Sequence, residues 1–309
     1  MEHKIIKLSA DDLDNGIKER LSFWADPSLL AVYAKRDSLN FYYLCATKND
    51  TISAVIPVFE KKKYGLKYIT QLNLCIYTPI VFFLNEDFEP YHTQNEQLLI
   101  MKAIGKYLKK NYIKITLSFD YEITDMRAFK WTGFSVEPMY TYKKKIDEYN
   151  KNLLPRDAKI KLKKAIKSDL YINECWDINI ISLLMNDMCN RKNISKYLLQ
   201  KEYLVFLDAL YQHKICSMVV VYKDKDPVAF WSFLKDSSKN ILYGLVSAGN
   251  KLGNDLGAHA LCVDYIMNNY SDFDTYDFCS ANVESVAYFK SQFNCDLVNY
   301  YRISKKYLS

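Results

Sequence analysis

No serine, cysteine or histidine triad can be assembled from this sequence, so its chemistry has to rest on other groups. The four histidines, His3, His92, His213 and His259, are scattered along the chain. The eight cysteines stand at least 14 positions apart with no C-x-x-C pair, which argues against a zinc knuckle or a thioredoxin-like site. Most have apolar neighbours and read as reduced core residues; no metal is expected. Two stretches remain. Residues 247–258, SAGNKLGNDLGA, carry Gly249, Gly253 and Gly257, and glycine lets a ligand come close to the main chain. The plainer alternative is a strand-to-helix loop that needs glycines for its turns. Between positions 151 and 167, Lys151, Arg156, Lys159, Lys161, Lys163, Lys164 and Lys167 stand against Asp157 alone. That run carries +6, equal to the formal charge of the whole chain. At about 100° per residue, Ala158, Leu162, Ala165 and Ile166 cover one side of a helix, and Arg156, Lys159, Lys163, Lys164 and Lys167 the other. Such a stripe is either a solvated face or a phosphate site for a nucleotide-linked sugar, coenzyme A or tRNA.

The framework that must hold these residues is globular. At 309 residues the chain has length for about two domains. Half of it is hydrophobic and a quarter charged, which excludes disordered and collagen-like classes. Only 8 Gly and 7 Pro interrupt it, while Tyr (26) and Phe (16) abound, a mixture that favours long helices and well-filled strands. The opening MEHKIIKLSA has no signal-peptide stretch, and the longest apolar runs, 76–84 and 215–222, fall far short of the ~20 residues of a membrane helix. A cytoplasmic protein without membrane insertion is expected. Outside the basic run the charge is near zero, which argues against a DNA binder.

Periodicity and turn signals give both halves one order of elements. In the first half this is strand 4–8, helix 11–21 capped by Ser9, helix 27–36, and strands 41–47 and 52–59. Strand 64–74, the apolar stretch 76–84, helix 93–111, strand 113–119, helix 125–131 and strand 134–146 follow. The second half begins with helix 155–167, strand 170–175, and helices 177–189 and 198–213. Strands 215–222, 228–234 and 241–247 form a meander, and helix 256–269, strand 275–279, helix 283–292 and strand 297–305 close the chain. Repeated order without repeated sequence argues for two copies of one fold, with the boundary at the charge jump near 146–151.

That order is the one found in GCN5-related N-acetyltransferases, and four stretches make the resemblance more specific. YDFCS at 276–280 resembles the "fDFxGS" stretch of double-domain members, the Fem transferases of peptidoglycan bridges and their shorter acyl-CoA relatives. NVESVAYFKSQFN at 282–294 resembles the helix that follows it there, with Asn294 in place of a glycine. RDAKIKLKKAIK at 156–167 is similar to the element that opens their second domain, and residues 56–78 to a region of their first. The resemblance spans nearly the whole chain. It implies an α/β (α+β) fold of two tandem GNAT-like acyl-CoA N-acyltransferase domains, each a mixed sheet flanked by helices. Residues 1–147 would be a degenerate copy and 148–309 the copy with the donor site.

The same resemblance assigns roles. Acyl-CoA or acetyl-CoA would lie on Val246, Ser247, Gly249, Asn250, Gly253, Gly257 and Ala258, where relatives place a loop that cradles pyrophosphate with backbone N–H groups; the glycine spacing here departs from that loop. Transfer would be a direct attack by an amine, helped by positioning and a backbone N–H. Asp277 would accept a proton or orient the amine, and His259 is a candidate base. Tyr288 is a candidate acid, although the family's tyrosine slot holds Phe289. Tyr77 and Ser280, with Arg156, Lys159, Lys163 and Lys167, would bind a small-molecule, sugar or cell-wall precursor acceptor or the donor's phosphates. Two other readings stay open: a Fem-like transferase drawing on aminoacyl-tRNA, and a catalytically silent binding module. The long coiled-coil arm of some tRNA-dependent members is absent.

Overall fold

Hydrophobic alternation and a few caps fix most of the elements along the chain. The computed structural model describes residues 2–85, 87–193 and 199–305. Its first elements are β1 (Lys4–Leu8), α1 (Asn15–Lys18), α2 (Pro27–Arg36), β2 (Asn40–Lys48), β3 (Thr51–Lys63) and β4 (Leu66–Ile69). Next come β5 (Val81–Phe82), α3 (Pro90–Asn111), β6 (Lys114–Ser118), α4 (Arg127–Trp131) and β7 (Ser135–Lys145). The second half holds α5 (Arg156–Lys167), β8 (Leu170–Glu174), α6 (Ile178–Lys192), α7 (Lys201–Gln212), β9 (Cys216–Lys223) and β10 (Asp226–Asp236). It ends with β11 (Ile241–Gly249), α8 (Lys251–Leu256), α9 (Ala258–Asn269), β12 (Thr275–Asp277), α10 (Glu284–Ser291) and β13 (Asp296–Lys305). The mixed α/β class with two similar halves is the one the element order implies.

The chain divides within two strands: between Met139 and Tyr140 in β7, and between Val298 and Asn299 in β13. In the first unit, β1, β2, β3 and β4 run antiparallel, and β4 then pairs with β6 in parallel. Residues 302–305 of β13 complete that sheet beside β6. Ile100, Ile104 and Leu108 of α3 pack on Leu44, Ile56 and Ile115 of this sheet. In the second unit, β8, β9, β10 and β11 run antiparallel, β11 pairs in parallel with β12, and residues 143–145 of β7 complete the sheet beside β12. Each unit is therefore finished by a strand that follows the other unit's short helix in sequence. One face of the second sheet packs Val219, Val221, Trp231 and Leu242 against Ala158, Leu162 and Ala165 of α5 and against α9. Alternate residues such as Val220 and Phe230 are buried on the other face, where α6 meets β10 and β11.

Several expected elements are shortened, each for a local reason. The helix over 11–21 reduces to α1. The hydroxyl of Ser9 accepts the Asp12 N–H and donates to the Asp12 carboxylate, a closed turn that competes with helix, and Asp14 caps the helix instead. The strand over 64–74 ends at Ile69, and Gln71 then anchors residues 70–78: its Oε1 accepts from Ser118 N–H and Thr78 Oγ1, both at 3.0 Å. The loop expected before residue 256 contains α8, because the Asn250 side chain caps the N–H of Gly253 at 2.8 Å. Gly257, at φ 82°, separates α8 from α9. The start of the helix expected over 198–213 lies outside the described residues at Leu198.

Candidate functional site

The second unit's sheet opens where β11 and β12 part. They pair over three residues only, Ile241 with Thr275, Leu242 with Tyr276 and Tyr243 with Asp277. Strand β12 then stops, because Cys279 and Ser280 turn the chain at φ 50° and 49°. Strand β11 continues six residues further to Gly249. Among the described residues no strand pairs with this extension on the β12 side.

Strand β10 holds the other side of the extension. Ala229 faces Gly249 and Ser232 faces Val246, and a bulge then shifts Phe233 onto Gly244. The Asn250 N–H donates to Val228 O at 3.0 Å, so strand alternation aims the main chain of Ala248 toward β10 and that of Ser247 and Gly249 toward the open side. Ser247 is partly exposed, while Val246, Ala248 and Gly249 are buried. Val246 itself is engaged by Ser232, whose hydroxyl donates to Val246 O at 3.0 Å and accepts its N–H at 3.2 Å. The Gly249 carbonyl accepts from Arg191 Nη2 at 2.6 Å and Asn254 Nδ2 at 3.2 Å. The open edge thus presents the N–H and C=O of Ser247 and the N–H of Gly249.

The glycines beside this edge have protein, not open space, where a Cβ would stand. At Gly253 it would lie 2.2 Å from Val228 O, at Gly257 2.5 Å from Lys161 O, and at Gly249 2.8 Å from His259 Cε1. Ala258 is wholly buried. Close packing of α8 and α9 on β10 and α5 accounts for these small residues.

Three rings gather near the end of the edge. Trp231 of β10, His259 of α9 and Phe289 of α10 have centroids 6.0–6.3 Å apart, and Lys161 Nζ lies 5.7 Å from the Phe289 centroid. Burial, then the charges of Lys192 and Arg191, lower His259 to about 4, with a hydrogen bond to the Ala248 backbone opposing. The ring is neutral at pH 7 and a weak base there. Burial also pushes the Cys279 thiol well above its ordinary range, so no thiolate nucleophile stands in this region.

Below the point of parting lies a lysine-centred turn. Lys290 of α10 is buried, and its ammonium donates to the carbonyls of Phe278 at 2.7 Å and Ser280 at 2.8 Å and also to that of Cys279. Asp277, wholly buried, accepts from Thr141 Oγ1 at 2.6 Å and from the Cys279 N–H at 2.8 Å. The two left-handed residues are thus fixed from both ends, and Ser280 keeps an exposed side chain. Tyr288 turns the other way: its hydroxyl donates to Asp157 Oδ2 at 2.7 Å, and that hydrogen bond and the carboxylate's charge raise the phenol above its ordinary range.

The remaining sequence candidates lie elsewhere in the fold. Tyr77, in the first unit, is buried among the rings of Trp24, Tyr121 and Tyr300. On α5, Arg156, Lys163 and Lys167 are exposed and Lys159 partly buried; among the described residues none of the four has an ion-pair partner. Two cavities, of about 310 and 390 Å³, are lined by none of these site residues. Residue patterns did not single out Ser232, Arg191 or Lys290. Lys290 follows Phe289 in the stretch that carries the resemblance, but nothing in that pattern gives it a role. Arg191 had no signal, since its partner is a backbone carbonyl 58 residues away. Among the described residues no group of His, Cys, Asp and Glu is arranged to hold a metal, and no helix is long and apolar enough to cross a membrane.

No protein-family model matches the chain, and no curated protein matches it by sequence. Solved structures do match. FemX aligns over 98% of this chain and 97% of its own at 13% identity, with a TM-score of 0.67. L-PGS from Bacillus licheniformis covers 91% of this chain and 88% of its own at 12% identity, TM-score 0.58. A tandem GNAT protein from the clavulanic acid biosynthesis pathway covers 100% and 99% at 6% identity, TM-score 0.57. The chain has a two-domain GNAT/Fem-like fold.

Proposed function

We propose that the second unit is an N-acyltransferase whose donor lies along the open edge of β11. The single observation that carries this is the six-residue extension of β11 past its parallel partner. There the N–H and C=O of Ser247 and the N–H of Gly249 are aimed at space that no strand occupies. An extended donor arm bearing amides, such as that of coenzyme A, completes such an edge as a strand would. It would bring its thioester toward the point where β11 and β12 part. The amine of a small molecule, sugar or cell-wall precursor attacks the carbonyl carbon, a backbone N–H takes the developing oxyanion, and the C–S bond breaks. The proton the amine loses goes to the departing thiolate, leaving an amide and a free thiol. No protein nucleophile is required, in keeping with the buried Cys279 and neutral His259. Lys290 acts as a positioning residue that holds the 278–280 turn at the base of the gap.

One observation favours a second donor class. The Asn250 side chain occupies the Gly253 N–H, a group that a pyrophosphate cradle would use, so an aminoacyl ester on tRNA needs less of this site than coenzyme A does.

Ser247→Pro removes the N–H at an edge that, among the described residues, no strand pairs with, a setting in which proline is tolerated. Binding of acetyl-CoA, followed by calorimetry, should weaken at least tenfold with little loss of stability. If parent and variant both ignore acetyl-CoA but differ in binding charged tRNA, the second donor class is favoured. If the variant binds every donor as the parent does, the edge is not the donor site.

A further inference from the structure

Helix α5 presents a face that the acyl-transfer reading does not use. Its inward side is filled by Ala158, Leu162 and Ala165. On the outward side, Lys163, Arg156, Lys167 and Lys164 fall within an arc of about 100°, with Ile160 near its middle. All four cations are exposed, and among the described residues none pairs with a carboxylate. Ile160 stands 52% exposed among them. The helix's one acidic residue, Asp157, is taken by the Tyr288 hydroxyl. Just before the helix, Leu153 is 69% exposed.

We infer that this face docks on an anionic lipid surface. Unpaired cations match a sheet of lipid phosphates, whose negative potential attracts juxtaposed Lys and Arg. Ile160 and Leu153 separate this occupant from the other polyanion that shares the chemistry, RNA. Branched aliphatic side chains add nothing to phosphate-backbone contacts, and α5 carries no aromatic ring on which a base could stack. In a bilayer interface the same two side chains enter the headgroup and acyl boundary while the lysines stay at the phosphates. Docking through α5 makes the protein peripheral, held by charge and two apolar contacts. The attraction is correspondingly salt-sensitive.

The test is sedimentation of the full chain with two sets of vesicles, one of phosphatidylcholine alone and one with about a third phosphatidylglycerol. Binding to the anionic vesicles at low salt, absent with phosphatidylcholine and released at 0.5 M salt, is expected. The triple variant K163Q/K164Q/K167Q should bind about a hundredfold more weakly, at roughly fivefold per charge. Ile160→Asn should weaken binding severalfold at unchanged charge. Both changes lie on exposed positions, so the melting temperature should barely move. No partition into anionic vesicles at low salt would overturn the inference, as would equal partition by parent and triple variant. A third overturning outcome is binding to a short RNA duplex, lost in the triple variant and unaffected in Ile160→Asn, with no vesicle binding.

Discussion

The two units contain the same device and use it differently. In the first, β4 and β6 pair in parallel at Tyr68 with Lys114 and Ile69 with Ile115, then part as β11 and β12 do. The chain leaving β4 turns straight into the gap. Thr78 N–H donates to Ser118 O at 2.7 Å, Gln71 ties Thr78 to Ser118, and Tyr77 packs its ring among three other aromatics. The chain leaving β11 instead runs on to Gly249 and out into α8, and its gap stays open. Strand length decides the difference: four residues in β4, nine in β11. A parted strand pair becomes a site only if the segment after it does not fill it. Tyr77, which the resemblance placed against an acceptor, is part of the filling in the first unit.

The short helices sharpen the comparison. Phe129–Lys130 in α4 and Phe289–Lys290 in α10 occupy the same place in the element order. Lys130 is exposed, whereas Lys290 is buried against three carbonyls. Lys290→Met leaves those carbonyls without a donor and should cost about 3 kcal/mol or more. Lys130→Met should stay within about 0.5 kcal/mol. Urea unfolding of both variants measures this; equal losses would mean that the Lys290 turn is no more than surface.

A smaller effect separates two histidines near helix starts. His92 of α3 is exposed, while His259 is packed between Trp231 and Phe289. The folded value of His259, about 4, lies below the ordinary 6.5, so the unfolded chain takes up the proton first. The stabilising contribution is complete above pH 6.5 and is lost as pH falls toward 4, by about 1–3 kcal/mol. His259→Phe should flatten the stability profile across that window. An unchanged profile in His259→Phe would show that the ring is not held neutral.

Much of this was legible in the residues. Element order gave the two-domain fold, and the helix expected over 155–167 fell within one residue of α5 because its apolar period is clear. Strand 64–74 was not legible, since what ends β4 is a Gln71 side chain reaching Ser118, a contact no local pattern encodes. Glycines at 249, 253 and 257 suggested a ligand, but sequence cannot distinguish an approaching phosphate from an approaching carbonyl such as Val228 O or Lys161 O. Whether a parallel strand pair parts into an open or a filled gap depends on where the following segment goes. That is tertiary information.

The most direct test of the open edge is residue-resolved amide hydrogen exchange over β11, with and without donor. In the free protein the account predicts slow exchange at Ala248 and Asn250, which face β10, and fast exchange at Ser247 and Gly249. Saturating acetyl-CoA or, failing that, charged tRNA should slow Ser247 and Gly249 and leave residues 70–78 unchanged. Uniformly slow exchange along 246–250 in the free protein, or donor binding that leaves Ser247 and Gly249 fast, would contradict it.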